Sequence, residues 1–499
     1  MRKDKPTTLA FYTILATIPL LFGAVHPLIQ GIYSTVILLS SGIWLVLNFE
    51  SVRKKQISPI TFLPLVILAF IVITVIPLPF FIVKIISPTR AVNLAQALQF
   101  GQLENVVNTF SYYAPASQFY AVYGFALFLF YISSSNLLET DDKINKTLWI
   151  ITLVGIIEAV YGIVQVLIPS VGVLWLPSNV SADGCARGTI IYRNQYAAFL
   201  NMCWPISLAH GISLYRPVIE RFNFFRKKKK TLTLTDRMLF LFQKAAIPLW
   251  CSAFMILAII FSRSRGGIII MMILAALLII FLPLSRRTKV TTGSIYSIFV
   301  LIYGGTIGFQ NVMDRFLTFY ESALFRFTLW FDSLSMLKDH FFAGIGMGAY
   351  GFMSPVYLSL VPDTAWYDHT HNEYVELLVE LGLPMMVVLV TWLVWGLIHY
   401  VTKIRQMQSR QVALEINKII AICSFLGILG FLLHGFVDFV WHIPVNVVYA
   451  ITLLALLHAT SLKKDTGDND ISISEKQFGT KRARKATRRG YNIPNVRFR

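Results

Sequence analysis

The chain has 499 residues, of which 56% are hydrophobic and only 14% are charged. Soluble domains carry about 25% charged residues, so this composition excludes an ordinary soluble protein. The formal net charge of +19 does not indicate nucleic-acid binding, because the basic residues cluster in alternate loops, as the positive-inside rule requires of a membrane protein. We therefore expect membrane lipids, and no nucleic acid, as surroundings of this chain.

Apolar runs long enough to cross a bilayer recur along the sequence and predict about twelve transmembrane helices. A helix satisfies its own backbone hydrogen bonds in lipid, so the predicted fold class is an all-α polytopic membrane protein. Basic clusters follow the even-numbered helices and predict that both termini are cytoplasmic. The predicted spans are 8–25, 31–49, 59–77, 118–135, 147–168, 196–214, 244–262, 267–284, 293–310, 383–402, 416–436 and 443–461.

Three segments follow from this topology. Residues 1–461 are predicted to form the transmembrane domain, and 311–382 to form a large periplasmic loop between helices nine and ten. Residues 462–499 are polar and basic, which predicts a disordered cytoplasmic tail. This tail either touches anionic headgroups or stays solvated. Of the four cysteines only Cys185 falls in an outside loop, so no disulfide framework is expected.

Arginines on the outer side are candidate ligands for a phosphate-containing substrate. Arg187 and Arg193 precede helix six, Arg263 and Arg265 occupy the turn between helices seven and eight, and Arg326 lies in the large loop. The planar guanidinium fork suits phosphate oxygens, so these side chains could hold a diphosphate. The alternative is that they snorkel to lipid headgroups and anchor the helix ends.

The large loop contains two local patterns. Apolar residues at steps of three and four predict a helix over 324–338. The glycine-rich turn 344–351 lacks the strand-and-helix context of a dinucleotide site. It predicts a tight bend where backbones approach closely.

A cluster of titratable residues at 368–376 is the most specific signal in the loop. Thr370 and Glu373 have the spacing of a capping box, which predicts a helix that begins here with His371 in its first turn. The helix dipole there disfavours an imidazolium, and a neutral histidine suits a general base. Glu376 is the alternative base.

Other interpretations of this cluster stay open. Asp368, His369 and His371 could bind zinc, but their order is not that of a zinc protease and no cysteine cluster accompanies them, so we predict no metal. His371 could also be purely structural. The residues expected to support the site are His369, Asn372, Glu373 and Asp438. Glu158, inside helix five, is either functional or a neutral, hydrogen-bonded side chain.

Taken in order, these motifs resemble the O-antigen ligase and Wzy-type O-antigen polymerase superfamily of bacterial envelope proteins. The resemblance covers roughly residues 150–460, with the large loop between helices nine and ten. The matching pieces are Arg187-Gly188-Thr189, Arg193-Asn194, Ser264-Arg265-Gly266-Gly267, Arg326, Phe342-Ala343-Gly344-Ile345-Gly346, His371-Asn372-Glu373-Tyr374 and Glu380-Leu381-Gly382.

The resemblance implies a GT-C-like, metal-independent glycosyltransferase of the bacterial inner membrane that needs no cofactor. Its donor would be a glycan on undecaprenyl diphosphate, and its acceptor a glycan, a lipid or a protein. Carried over by motif, Arg187 and Arg265 would hold the diphosphate and His371 would be essential to transfer. A single, inverting displacement is expected because no covalent nucleophile stands out. Ligase and polymerase share these motifs, so the subtype stays open.

A lipid-linked glycan flippase or transporter is the alternative class. Transporters place their sites near the midplane, on broken helices, with repeats between two halves. The sequence shows no evident repeat, and its polar cluster lies in one outside loop. An enzyme is therefore the favoured interpretation.

Overall fold

A computed structural model describes residues 5–53, 59–101, 107–174, 184–228, 246–283, 311–360, 366–407 and 412–462, with a few single positions between 284 and 298. Every regular element among these residues is helical. The predicted tail beyond Leu462 lies outside the described residues.

The helices take the chain from one apolar segment to the next. They are α1 (Lys5–Thr17), α2 (Pro27–Arg53), α3 (Leu63–Val75), α4 (Phe80–Ile86), α5 (Pro88–Phe100), α6 (Ala114–Leu137), α7 (Asp141–Leu167), α8 (Arg193–Lys228), α9 (Ile247–Phe261), α10 (Arg265–Phe281), α11 (Asn311–Asp339), α12 (Tyr350–Tyr357), α13 (Glu373–Gln406), α14 (Val412–His434) and α15 (Pro444–Ser461).

Seven of the described helices are long and apolar enough to cross a membrane, and three shorter apolar helices accompany them. The seven lie in α2, α6, α7, α8, α13, α14 and α15. Every predicted span except the ninth overlaps a helix, and the ninth, 293–310, falls almost wholly outside the described residues. The all-helical, multi-span fold class is thus confirmed, whereas the number twelve stays a prediction. The helix of the first predicted span, α1, is shorter than predicted, since it ends at Thr17.

The main core of the bundle forms around the first half of α8. Tyr196 and Phe199 are fully buried there, and α8 packs against α7, α9, α10, α14 and α15. Small residues allow the close approach: a Cβ on Gly162 of α7 would lie 2.3 Å from the Tyr196 hydroxyl. This core fixes the start of α8, from which Asn194 reaches the candidate site.

A kink in α13 joins the glycine-rich turn to the bundle. Gly382 has φ 73°, which only glycine adopts readily, and α13 bends there. The Ile345 N–H donates to the Val379 carbonyl at 3.0 Å, and a Cβ on Gly344 would lie 2.2 Å from the Glu380 carbonyl oxygen. The predicted tight bend with close backbones is confirmed.

The helix predicted over 324–338 is present as the second half of α11. Leu329 and Met336 on one side are fully buried. Phe327 and Phe331, which define the predicted apolar stripe, are 61% and 72% exposed. The stripe that revealed the helix therefore faces away from the rest of the protein.

Candidate active site

One turn between the last two helices gathers the candidate residues. We call residues 435–443 the hub turn. Arg326 of α11 donates from Nη1 to the Val437 carbonyl oxygen at 2.9 Å. The Glu373 N–H, at the start of α13, donates to the Gly435 carbonyl oxygen at 2.8 Å. The hub turn thus binds two elements that are far from it in sequence.

Asp438 of the hub turn pairs with His371. Its carboxylate is 2% exposed and accepts from His371 Nδ1 at 2.9 Å, while Asn194 of α8 donates to the other oxygen at 2.5 Å. Burial alone would raise the pKa of Asp438, but the hydrogen bonds from His371 and Asn194 hold it below its ordinary value. An ionised carboxylate only accepts, so His371 carries its proton on Nδ1.

When the imidazole is neutral, this arrangement leaves the lone pair of His371 on Nε2. The side chain is 35% exposed, and among the described residues its hydrogen-bond partner is Asp438. A neutral imidazole held at Nδ1 by a carboxylate and open at Nε2 is arranged to accept a proton from a bound hydroxyl.

The local structure around His371 corrects the predicted capping box. α13 begins at Glu373, and its N-cap is Asn372, whose Oδ1 accepts from two N–H groups of the first turn. Thr370 instead donates its hydroxyl to the Asn372 carbonyl. His371 therefore precedes the helix, with φ 55° in the left-handed region. The dipole effect was predicted for a residue inside the first turn, and His371 lies outside that turn; its tautomer is set by Asp438.

Glu376, the alternative base, is 1% exposed. It accepts from His369 Nδ1 at 2.7 Å and from the Thr370 N–H at 2.8 Å. His442 Nε2 lies 3.5 Å from the same oxygen that faces His369. The carboxylate is thus enclosed by protein groups, with His369 between it and solvent.

His442 lies between two buried carboxylates. Its Nδ1 is 3.0 Å from Glu373 Oε2, and its Nε2 faces Glu376. Burial alone would lower the pKa of His442, but Glu373 and Glu376 outweigh it and raise the pKa to about 10. The two carboxylates therefore favour the charged form of the imidazole.

The residues with metal-ligand spacing share only His369 with the predicted zinc set. One potential ligand atom from each of His369, Glu376 and His442 lies within 4.8 Å of the other two. His371, a member of the predicted set, faces Asp438 instead. A metal at the observed set would have to replace the hydrogen bond from His369 to Glu376 and any proton on the His442 nitrogen that binds it.

The arginine-bearing segments before α8 and after α9 lie side by side. The Ala186 N–H donates to the Phe261 carbonyl oxygen at 3.0 Å. Arg187 donates from Nη1 to its own loop at Ile191, and Arg193 contacts the Cys185 sulfur. Both basic groups are thereby held near the end of α9.

The turn after α9 packs on the hub turn. Arg263 has φ 51°, and Arg265 is the first residue of α10; both are exposed. A Cβ on Gly266 would lie 2.9 Å from Val437 Cγ2. Arg263, Arg265 and Arg326 thus belong to segments that contact the turn carrying Asp438.

Glu158 anchors the Arg187 loop from within α7. Its two carboxylate oxygens accept from the Thr189 hydroxyl at 2.6 Å and the Thr189 N–H at 2.8 Å. Gly188, with φ 59°, leaves no room for a side chain, since its Cβ would lie 2.1 Å from Glu158 Oε2. The hydrogen-bonded interpretation of Glu158 is the one that this geometry favours.

Two residues escaped the sequence analysis as members of the site. Asn194 was noted only as the neighbour of Arg193, yet it holds Asp438. Phe439 stacks on His369 with ring centroids 4.5 Å apart and lies 5.1 Å from His371. For Asn194 the sequence signal was its place in the Arg193-Asn194 motif, and for Phe439 it was adjacency to Asp438.

Fold and site together define a multi-span, all-helical membrane protein with a histidine–aspartate pair beside arginine-bearing turns. Residues 250–390 match the family model described as Wzy_C, O-Antigen ligase. The predicted resemblance to that superfamily is confirmed, and it supports a ligase- or polymerase-like, glycan-processing activity. No curated protein matches the chain. Asn194 and Asp438 lie outside the matched segment, whereas His371, Arg265 and Arg326 lie inside it.

Proposed function

We propose that this protein transfers a glycan from undecaprenyl diphosphate to an acceptor hydroxyl at the periplasmic face of the bacterial inner membrane. The observation that carries the proposal is the His371–Asp438 pair, in which Nδ1 and Oδ1 are 2.9 Å apart. Asp438 lies on the hub turn, and the Arg263–Arg265 turn packs against it. A base beside fixed cations is the arrangement that this displacement needs.

In the proposed reaction the acceptor oxygen attacks the anomeric carbon as the bond to the diphosphate oxygen breaks. The acceptor proton passes to Nε2 of His371, and Asp438 stabilises the imidazolium that forms. One displacement inverts the anomeric centre. Base assistance of this kind contributes typically 10²–10⁴-fold.

The leaving diphosphate needs charge stabilisation more than a proton. Arg265 and Arg187 would bind its oxygens, with Arg193, Arg263 and Arg326 nearby. Guanidinium groups suit this role because they stay charged and bind two oxygens at once. No step in this scheme requires a metal.

The test uses purified protein in detergent with a lipid-diphosphate-linked glycan donor and measures donor binding and glycan transfer separately. His371→Ala should lower transfer by about 10²-fold or more while donor binding persists, because the arginines carry binding. Transfer should survive a strong chelator.

Three outcomes would contradict the proposal. Near-normal transfer by His371→Ala would end its role as the base. Loss of transfer with chelator, restored by zinc or magnesium, would make the reaction metal-dependent. Movement of the donor across proteoliposomes without glycan transfer would favour a flippase.

A further inference from the structure

The backbone at His371 is held in an unfavourable conformation. Its φ of 55° lies in the left-handed region, which non-glycine residues adopt at a cost in energy. Surrounding contacts must therefore hold the loop 368–372 in place. By holding the loop, these contacts place His371 within hydrogen-bond distance of Asp438.

Thr370, one residue before His371, makes several of those contacts. Its N–H donates to Glu376 Oε2 at 2.8 Å, and its carbonyl accepts from the Trp330 indole at 2.8 Å. Glu376 also accepts from His369. One buried carboxylate thus binds the chain at both positions that precede His371.

That carboxylate is buried and needs a compensating charge. Glu373 and Glu380 on the same helix are also buried, and their spacing of three and four residues from Glu376 places the three acidic groups on one face of α13. Buried carboxylates are costly unless they are paired. The groups that face His442 are Glu373, Glu376 and Glu380 of α13, His369 of the loop, and Tyr120 of α6.

We propose that His442 is a positioning residue for the transfer reaction: its buried cation pairs with Glu373 and Glu376 and so holds the loop that presents His371. Donor contact is assigned to the arginines and proton transfer to His371, while His442 acts through Glu376. The activity part of this inference rests on the proposed function, but the charge coupling does not.

The first experiment measures coupling without any substrate. Thermal unfolding in detergent is compared for the parent, His442→Gln, Glu376→Gln and the double variant. His442→Gln leaves the acidic cluster without its cation and should lower Tm. Adding Glu376→Gln removes one of the carboxylates that has lost its cation. The double variant should therefore be more stable than His442→Gln alone. Additive losses would overturn the pairing.

The pH dependence of Tm supplies a second readout. Because His442 has a folded pKa of about 10, above its unfolded value, its stabilisation is full below about pH 6.5. It is lost as pH rises through the folded value. Between pH 7 and 10, the Tm of the parent should therefore fall further than the Tm of His442→Gln. Equal losses would overturn the charged state.

The activity readout tests positioning. His442→Gln should lower kcat by about 10²-fold, the scale of a small misplacement of a catalytic group, and leave donor Kd unchanged. His210→Gln is the matched control, because His210 is fully buried and the His442 side chain only 7% exposed, but His210 lies in α8 against Thr152. A kcat for His442→Gln equal to that of His210→Gln would overturn positioning. A metal found in the parent and lost in His442→Gln would overturn the ion pair itself.

Failure of this inference is distinguishable from failure of the proposed function. An additive thermal cycle in a protein that still requires His371 for transfer would remove only the role of His442. A coupled cycle in a protein with no transferase activity would leave the ion pair and remove the reaction.

Discussion

The chemistry assigned to His371 depends on which ring nitrogen carries the proton. Asp438 fixes this by accepting from Nδ1, and Asn194 fixes Asp438 in turn. The arrangement resembles the orienting half of a serine-hydrolase triad, with a sugar hydroxyl in place of the serine. The role of Asp438 can be tested by changing its hydrogen-bonding character alone.

Asp438→Asn should abolish most transfer while preserving the fold. An amide can donate to Nδ1, which would move the ring proton to Nε2 and leave no lone pair for the acceptor. We expect a loss of about 10²–10⁴-fold in kcat with donor affinity retained, measured by separate binding and transfer assays. Activity near that of the parent would show that the ring tautomer is unimportant.

Arg265 tests the assignment of the diphosphate. Arg265→Ala should weaken donor binding and abolish transfer. Arg265→Lys should also fail largely, because a point charge does not replace a two-pronged guanidinium. Donor titrations and transfer rates distinguish the cases. If lysine restored most of the activity, the residue would be reassigned as a headgroup anchor.

At the scale of elements, the site depends on a backbone contact between the glycine-rich turn and the α13 kink. Gly344 has φ 64°, and a Cβ at this position would lie 2.2 Å from the Glu380 carbonyl oxygen. Such a position admits no side chain without movement of α13, whose first residues include Glu373 and Glu376.

Gly344→Ala should therefore destabilise the protein and lower transfer together. Gly42→Ala in α2 is the control, because a Cβ there meets nothing within 4 Å and alanine is the better helix former. Thermal unfolding in detergent should show a lower Tm for the first variant and an unchanged or higher Tm for the second. The opposite order would mean that the bend is not a rigid contact.

Sequence patterns predicted single elements well and the contacts between elements poorly. The helix over 324–338, the bend at 344–351 and most spans follow from local periodicity and glycine content, which the chain carries within a few residues. The capping box failed because Asn372 competes with Thr370 for the N-cap, and asparagine is at least as good a cap. Asp438 and His371, 67 residues apart, meet only through tertiary packing.

For the whole molecule, orientation in the membrane is the prediction on which the reaction depends. Val356 in α12 is 73% exposed, and all four native cysteines are buried, so a single introduced cysteine can be labelled cleanly. Val356→Cys should react with an impermeant thiol reagent in intact spheroplasts.

Lys146→Cys, at an exposed position at the start of α7, is the matched control. It should react only after lysis, because the basic clusters predict that its side is cytoplasmic. The reverse labelling pattern would place the whole candidate site in the cytoplasm.

The hub turn also has a consequence for biosynthesis. It lies between α14 and α15, so Asp438 and His442 are synthesised after every other described helix except α15. His371 and the arginine-bearing turns are synthesised earlier, before the hub turn that they contact. A chain released before residue 438 would insert many helices and yet hold no His371–Asp438 pair. On the proposed function, such a chain could not transfer a glycan efficiently, because it lacks the residue that orients His371.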